Sequence, residues 1–278
     1  MIIDGKKIAQ SLYDNLAIDI KKSGLKPVLA AILVWNNSAS LRYIKQKKKW
    51  ADTVWVEFKL FEMKPNVTQI ELEKKIDELN NNSRINGYIV QLPLPDHINE
   101  KSIINKIDPK KDVDGFHPEN VWKVLIWDDT GFAPCTPAWV MCMLDIIWED
   151  VVGKQVVIVG RSNIVWKPLA ALLINAWATV IVCNSKTPDI KRYTSNSDIV
   201  IMATGKPMLL RLDMVKIGTT IIDVWFTVID GKIHWDADFE IIEKCGSKIT
   251  PVPGWVGALT VAMLMKNTYR AALLQANK

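Results

Sequence analysis

Cysteine and histidine are scarce in this chain. Cys135, Cys142, Cys183 and Cys245 form no C-x-x-C pair, and His97, His117 and His234 lie far apart. That spacing excludes a zinc knuckle or a disulfide framework and predicts a reduced, cytosolic, metal-free protein. An unbroken apolar leader is missing too, because Asp4, Lys6 and Lys7 fall where a secretory signal needs its core. No membrane span is expected. The uncharged stretch 168–185 is broken by Asn175 and Thr179 and shifts from helical to β-branched spacing near Ala176-Trp177, so it reads as helix, turn and strand. Excess charge of one sign is slight: +5 over 278 residues favours anionic small molecules without demanding nucleic acid.

Among what is present, the stretch 154–175 organises the rest. Val156-Val157-Ile158-Val159 is an apolar β-branched run of the kind that forms a buried strand. Gly160, Arg161, Ser162 and Asn163 follow, and a helical pattern is predicted through Ile164, Val165, Leu169, Leu172 and Leu173. A strand that passes through glycine into a helix aims loop amides and the helix N-terminus at an anion. The match to G-x-G-x-x-G is poor, since Ser162 holds the second glycine position and Trp166 stands near the third, and an ordinary βα turn is the alternative. The next strand, 178–183, ends in Asn184-Ser185-Lys186, where an NAD site would place a ribose-binding acid. A hydroxyl and a cation there, with Arg161 on the first loop, suit a 2′-phosphate and hence NADP; solvated surface charge is the competing view.

Alternation of strands and helices continues along the chain. Strands are predicted at 27–34, 54–61 and 87–92, a basic helix at 40–52, and a helix opened by the capping box Thr68-Gln69-Ile70-Glu71 with Leu72, Ile76 and Leu79 on one face. A Pro-, Asp- and Gly-rich connection spans 108–137, followed by a linking helix to about 147. Further strands are expected at 155–159, 178–183, 198–203 and 219–224, and an amphipathic helix at 257–275. The βα repetition implies mainly parallel sheets with ligand sites beyond the strands' carboxyl ends.

Tyr43 and Lys47 are four residues apart on one helix face. A partly desolvated lysine can move protons near neutral pH with a tyrosine hydroxyl beside it. Arg42, Lys45, Lys48 and Lys49 supply the bland alternative of a solvated basic face, or of a nucleic-acid patch, which would bind with steep salt dependence. Gln91 closes the third predicted strand before Pro93-Leu94-Pro95, and Asp112 and Asp114 are loop acids, with structural Asx turns as their alternative.

The blocks YIKQKKK, GYIVQLPLPDHI, KDVDGFHPENV, PCTP, GRSNIV, KPLAALL, ATVIVCNSKT, DIVIMATGKP and ITPVPG, then TVAMLMKNT, follow one another in an order that resembles the bifunctional methylenetetrahydrofolate dehydrogenase/cyclohydrolase (FolD) family almost end to end. The resemblance implies an α/β fold of two domains. An N-terminal catalytic, folate-binding domain covers 1–136, completed by the C-terminal helix 257–278, and a Rossmann-like NADP-binding domain covers 137–256, with a cleft between them. It implies a cytoplasmic homodimer acting on tetrahydrofolate derivatives in one-carbon metabolism and purine biosynthesis, with no metal, nucleic acid or membrane. The activity implied is NADP-dependent oxidation of 5,10-methylenetetrahydrofolate and hydrolysis of the methenyl product to 10-formyltetrahydrofolate. By motif position Lys47 resembles the catalytic lysine, Tyr43 the residue that stacks on or orients the pterin, Gln91 the partner that tunes the lysine, and Asp114 the pterin anchor. Gly160, Arg161, Ser162 and Ile164 resemble the phosphate loop, Ser185 the 2′-phosphate contact, and Phe226 the residue beside the cofactor. A different NADP-dependent α/β oxidoreductase would leave VQLPLP and KDVDGF without a role.

One feature departs from that pattern. The twelve Trp outnumber the five Tyr and six Phe together, whereas Gly numbers only 13. Trp35, Trp55, Trp122, Trp139, Trp166, Trp177, Trp225, Trp235 and Trp255 stand where the family pattern has glycine, and Trp50, Trp127 and Trp148 are three further candidates. Glycine turns often need φ > 0 or close backbone approach, which an indole opposes; Trp166 is expected to crowd the pyrophosphate and Trp255 the folate-side loop. We read these positions as glycine in the native product: one base separates GGA from UGA, and some bacteria read UGA as glycine. The competing view is an inactive homologue with plugged loops.

Overall fold

The computed structural model describes residues 5–34, 38–229, 232–238, 242, 248–249 and 256–276. The expectations at Trp35 and Trp255 lie outside them, as does Cys245. The chain divides into two compact units, Ala9–Cys135 with Gly257–Lys278, and Met1–Ile8 with Thr136–Val256.

In the first unit, strands β1 (Val28–Leu33), β2 (Glu57–Glu62) and β3 (Gly87–Val90) form a parallel sheet in the order β2-β1-β3. All six residues of β1 are buried, as befits a central parallel strand covered on both faces. Helix α2 (Ser38–Thr53) joins β1 to β2, and α3 (Gln69–Asn81) joins β2 to β3. The Thr68–Glu71 capping box forms, and Leu72, Ile76 and Leu79 are buried. The segment 54–56, predicted as strand, is instead the turn that caps α2, so β2 begins later. Two short helices fall in segments that lack a clear helical repeat: α4 (Glu100–Lys106), and α5 (Pro118–Leu125), inside the expected connection. Helix α1 (Gly5–Ser23), in this unit from Ala9 on, precedes the sheet, and α6 (Cys135–Ile146) follows α5, with Cys135 in this unit and the rest in the second.

The second unit carries a five-stranded parallel sheet, β4 (Gln155–Val159), β5 (Thr179–Cys183), β6 (Ile199–Met202), β7 (Thr220–Asp223) and β10 (Lys248–Ile249), in the order β10-β7-β6-β4-β5. Chain order reverses at β4, which makes the carboxyl ends of β4, β5 and β6 the switch point where doubly wound sheets bind ligands. Helix α7 (Trp166–Asn175) starts later than predicted, and Ile164 and Val165 belong to the loop before it. The hairpin β8 (Phe226–Ile229) and β9 (Lys232–Trp235), short helix α8 (Lys191–Thr194) and strand β10 were not legible as elements. Helix α9 (Val256–Ala276) closes the chain in the first unit. Among the described residues no helix is long and apolar enough to cross a membrane.

Four tryptophans occupy the left-handed backbone region: Trp55 (φ 64°), Trp127 (φ 60°), Trp148 (φ 54°) and Trp177 (φ 65°). Each stands just past a helix, α2, α5, α6 or α7 respectively. The following amides close the same bond back to the helix: Val56 N to Ala51 O (3.0 Å), Asp128 N to Lys123 O (2.8 Å), Glu149 N to Leu144 O (2.9 Å) and Ala178 N to Leu173 O (3.0 Å). This six-to-one bond defines the Schellman motif, whose left-handed residue is usually glycine. The tryptophans are 67%, 66%, 92% and 71% exposed, so the indoles gain little packing in return. Trp139 is the opposite case, buried in α6 with an indole nitrogen that finds no partner among the described residues. Trp50 is well accommodated, stacked on Tyr13 with centroids 3.9 Å apart.

Candidate active site

In the first unit, Lys47 lies in the middle of α2, one turn after Tyr43. Its half-buried ammonium donates to Gln91 Oε1 at 2.9 Å. Gln91 sits one residue past β3, where its backbone amide still bonds Ile32 O (2.9 Å) and its side-chain Nε2 donates to Leu92 O (2.7 Å). The amide is thereby oriented with its oxygen toward the lysine. Tyr43 is 45% exposed, so its ring is free to meet a planar ligand.

Asp114 reaches the same region through a loop tied to β3. Tyr88 N donates to Lys111 O (2.9 Å), and Tyr88 and Asp112 form a parallel bridge. Asp112 is structural: its carboxylate accepts from Gly115 N (3.1 Å), His117 N (2.8 Å) and Asn120 Nδ2 (2.9 Å). Lys111 is structural as well, buried with its ammonium on Leu79 O and Asn82 O, each at 2.8 Å, at the carboxyl end of α3. Gly115, at φ 74°, has no room for a Cβ, which would lie 2.6 Å from Phe132 O and 2.7 Å from Pro134 N. The Asp114 loop therefore packs directly on the loop leading to Cys135.

Electrostatics couple these groups. Burial lowers the Lys47 pKa, against the pull of Asp114 and of Cys135. Burial pushes the Asp114 carboxyl up to about 6, with Lys47 opposing, Asp112 adding to the rise, and a hydrogen bond from Cys135 opposing it. Cys135, buried in the first turn of α6, is held well above its ordinary value by burial first and the Asp114 charge second. The arrangement is a lysine with a weakened hold on its proton beside a carboxyl that titrates near neutrality. Cys135 is a member that scarce-cysteine reasoning passed over; its signal was the PCTP block.

In the second unit a cavity of ≈ 450 Å³ opens at the switch point, lined among others by Gly160, Arg161, Ser162, Ser185, Thr204 and Lys206. Helix α7 begins there without a side-chain cap, leaving amides for an anion. Ser162 Oγ is buried with no partner among the described residues, as a group awaiting a phosphate oxygen would be. These residues fit a dinucleotide phosphate, with Arg161, Ser185 and Lys206 as candidate 2′-phosphate contacts. Asp236 holds the Thr204-Gly205 turn, accepting from both backbone amides and from Thr204 Oγ1. Ile164 and Lys186 do not line this cavity. Phe226 opens β8, and its side chain lies outside the described residues. Trp166 also lines the cavity, and its ring comes so close to Gly160 that a Cβ there would lie 2.3 Å from the indole nitrogen. Of the described residues, no cluster of His, Cys, Asp or Glu could hold a metal ion.

The sequence model described as "Tetrahydrofolate dehydrogenase/cyclohydrolase, catalytic domain" matches residues 3–114, and that for the "NAD(P)-binding domain" matches 134–276. A "Bifunctional protein FolD" from Bacillus licheniformis is 46% identical over 275 residues, covering 98% of this chain and 96% of that protein. The crystal structure of bifunctional FolD from Campylobacter jejuni superimposes with a TM-score of 0.95 at 43% identity, covering 99% of each chain. The Trypanosoma brucei dehydrogenase-cyclohydrolase, solved with NADP cofactor and an inhibitor, gives a TM-score of 0.93 at 35% identity, covering 100% of this chain and 99% of that one.

Proposed function

The chain belongs to the tetrahydrofolate dehydrogenase/cyclohydrolase family, and from that premise we propose how its own residues divide the work. The protein is a bifunctional enzyme that oxidises 5,10-methylenetetrahydrofolate with NADP and hydrolyses the 5,10-methenyl product to 10-formyltetrahydrofolate. The observation that carries the assignment of roles is the bond from Lys47 Nζ to Gln91 Oε1 at 2.9 Å, beside Asp114.

In the hydrolytic step, neutral Lys47 spends one hydrogen on Gln91 and turns its lone pair to a water. As that water's oxygen bonds to the methenyl carbon, its proton passes to the amine. The carbon–nitrogen bond to the pterin then breaks as the remaining hydroxyl proton moves to the released pterin nitrogen, leaving the formyl group on the neighbouring nitrogen, and the proton taken up by Lys47 is the one released. Asp114 anchors the pterin by accepting its N–H groups, and Tyr43 covers the ring. Gly160, Arg161, Ser162 and Ser185, which line the second unit's cavity, would hold the cofactor's phosphates. Bound NADP supplies the hydride acceptor. Departure of hydride from the methylene carbon leaves a stabilised cation, so this step asks little acid–base work of Lys47. A cytoplasmic homodimer supplying formyl groups for purine biosynthesis completes the reading, supported by the family resemblance.

The twelve tryptophans belong to this proposal. We take them to be glycine in the native enzyme, a reading supported by four left-handed helix caps, the orphaned Trp139 indole and the Trp166 ring against Gly160. The same Trp166 contact favours a second reading, an inactive homologue, if the cell makes tryptophan there. Protein isolated from the source organism separates the two by near-ultraviolet absorbance: near-absence of indole is expected, and a spectrum with many indoles ends the glycine reading. Activity is tested by following NADPH formation from methylenetetrahydrofolate and loss of methenyl absorbance. Turnover of a different substrate alone would favour another NADP-dependent oxidoreductase.

A further inference from the structure

Helix α9 enters the first unit with a buried face that is apolar except at Asn267 and Thr268. Thr268 satisfies itself locally, its hydroxyl donating to Leu264 O at 2.8 Å. Asn267 does not. Its Nδ2 donates to Val113 O (2.9 Å) and Ala133 O (3.1 Å), and lies 3.8 Å from Cys135 Sγ. Val113 directly precedes Asp114, and Ala133 lies two residues before Cys135. One amide from a distant part of the chain thus ties together the two loops that carry the carboxyl and the thiol. Cys135 Sγ adds a contact to Val113 O at 3.5 Å, closing the triangle.

We propose that Asn267 is a positioning residue for the Lys47–Asp114 pair, holding the Asp114 loop against the Cys135 loop so that carboxyl and ammonium keep their separation. The inference rests on the reading of Lys47 and Asp114 given above. The titratable groups that act on Asp114 are Lys47 from α2, Asp112 from its own loop and Cys135 from α6. Loosening the clamp alters the first and last of these together. A bond that merely docked α9 would affect stability and leave the titration alone.

The test compares Asn267→Leu, similar in shape and without donors, with Thr268→Val, which breaks the neighbouring buried bond. The full enzyme is assayed for methenyl hydrolysis and for NADPH formation across pH, alongside its Tm. Asn267→Leu is expected to move the acid limb of the hydrolysis profile by half a pH unit or more and to lower its kcat at least about tenfold. NADPH formation falls less, and KM for NADP holds. Thr268→Val is expected to lower Tm with the limb in place. Should Asn267→Leu fail to fold, Asn267→Ser, which keeps one donor, is read by the same criteria. An unmoved limb in the Asn267 variant, or one moved equally by Thr268→Val, overturns the positioning role. Asp114→Asn keeps the two ideas separate: a KM for folate unchanged in that variant refutes the anchoring role given to Asp114, whereas a raised KM there together with an unmoved limb in Asn267→Leu refutes the clamp alone.

Discussion

Replacing Trp55, Trp127, Trp148 and Trp177 together by glycine is expected to stabilise the protein. A residue with a Cβ loses roughly 1–2 kcal/mol in the left-handed region. Glycine returns part of that, roughly 0.4–1 kcal/mol, through the freedom of the unfolded chain. A net gain of about 1 kcal/mol per site remains, because the indoles, 66–92% exposed, have little packing to lose. The sites cap different helices with different partners, so their gains should add. Two fall in each unit, Trp55 and Trp127 in one, Trp148 and Trp177 in the other. About 2 kcal/mol per unit corresponds to a rise in Tm of about 4–8 °C. Calorimetry measures this directly, and four alanines at the same positions form the control. Alanine also removes the exposed indole but keeps a Cβ at φ > 0, so it should recover little. A Tm unchanged by glycine, or raised equally by alanine, would refute the argument from backbone strain.

Trp166→Gly should clear the wall of the cofactor cavity and lower the KM for NADP several-fold, measured as NADPH formation at fixed folate; an unchanged KM would mean the indole does not obstruct the site. Because burial raises the Asp114 carboxyl to about 6, its anchoring carboxylate is lost as pH falls through that value. The KM for folate should therefore climb toward tenfold per pH unit below about 6, and stay flat above it. Glu149 is held below the usual glutamate range: burial would raise it, but hydrogen bonds from Lys154, Lys248 (2.6 Å) and Thr220 (2.8 Å) outweigh that. A depressed carboxyl stabilises fully above its unfolded pKa of about 4.3 and loses that contribution as pH falls through the folded value. Glu149→Gln should thus cost about 1–2 kcal/mol at pH 7, discounted because both lysines are partly exposed, and the two melting curves should converge in acid.

Much of this fold was legible because its signals are periodic. The parallel strands β4 to β7 of the second unit are runs rich in β-branched residues, and the Thr68–Glu71 box announced α3 by its spacing. Where the reading slipped, local geometry had overridden the pattern. Val54 and Val56 look like strand residues, yet the amide of Val56 is spent closing α2, so β2 waits until Glu57. Helix α5 was hidden in a stretch rich in turn residues, although His117 caps it by accepting from Glu119 N at 3.1 Å and Pro118 starts it. In the site, Lys47, Gln91 and Asp114 could be named from motif position, and spacing alone left Tyr43 and Lys47 indistinguishable from a solvated basic face. What no local pattern could supply was the convergence of Cys135 and Asn267 on the Asp114 loop, since those residues are 132 apart in sequence. The four left-handed caps were visible as an oddity of composition, and became a physical conflict only once φ was known.

The division of labour around Lys47 is tested most directly by Lys47→Met, assayed in parallel for methenyl hydrolysis and for NADPH formation from methylenetetrahydrofolate. Loss of the proton acceptor should slow hydrolysis by roughly 10²–10⁴-fold while NADPH formation continues at a measurable rate. Hydrolysis that proceeds undiminished without the amine would contradict the account.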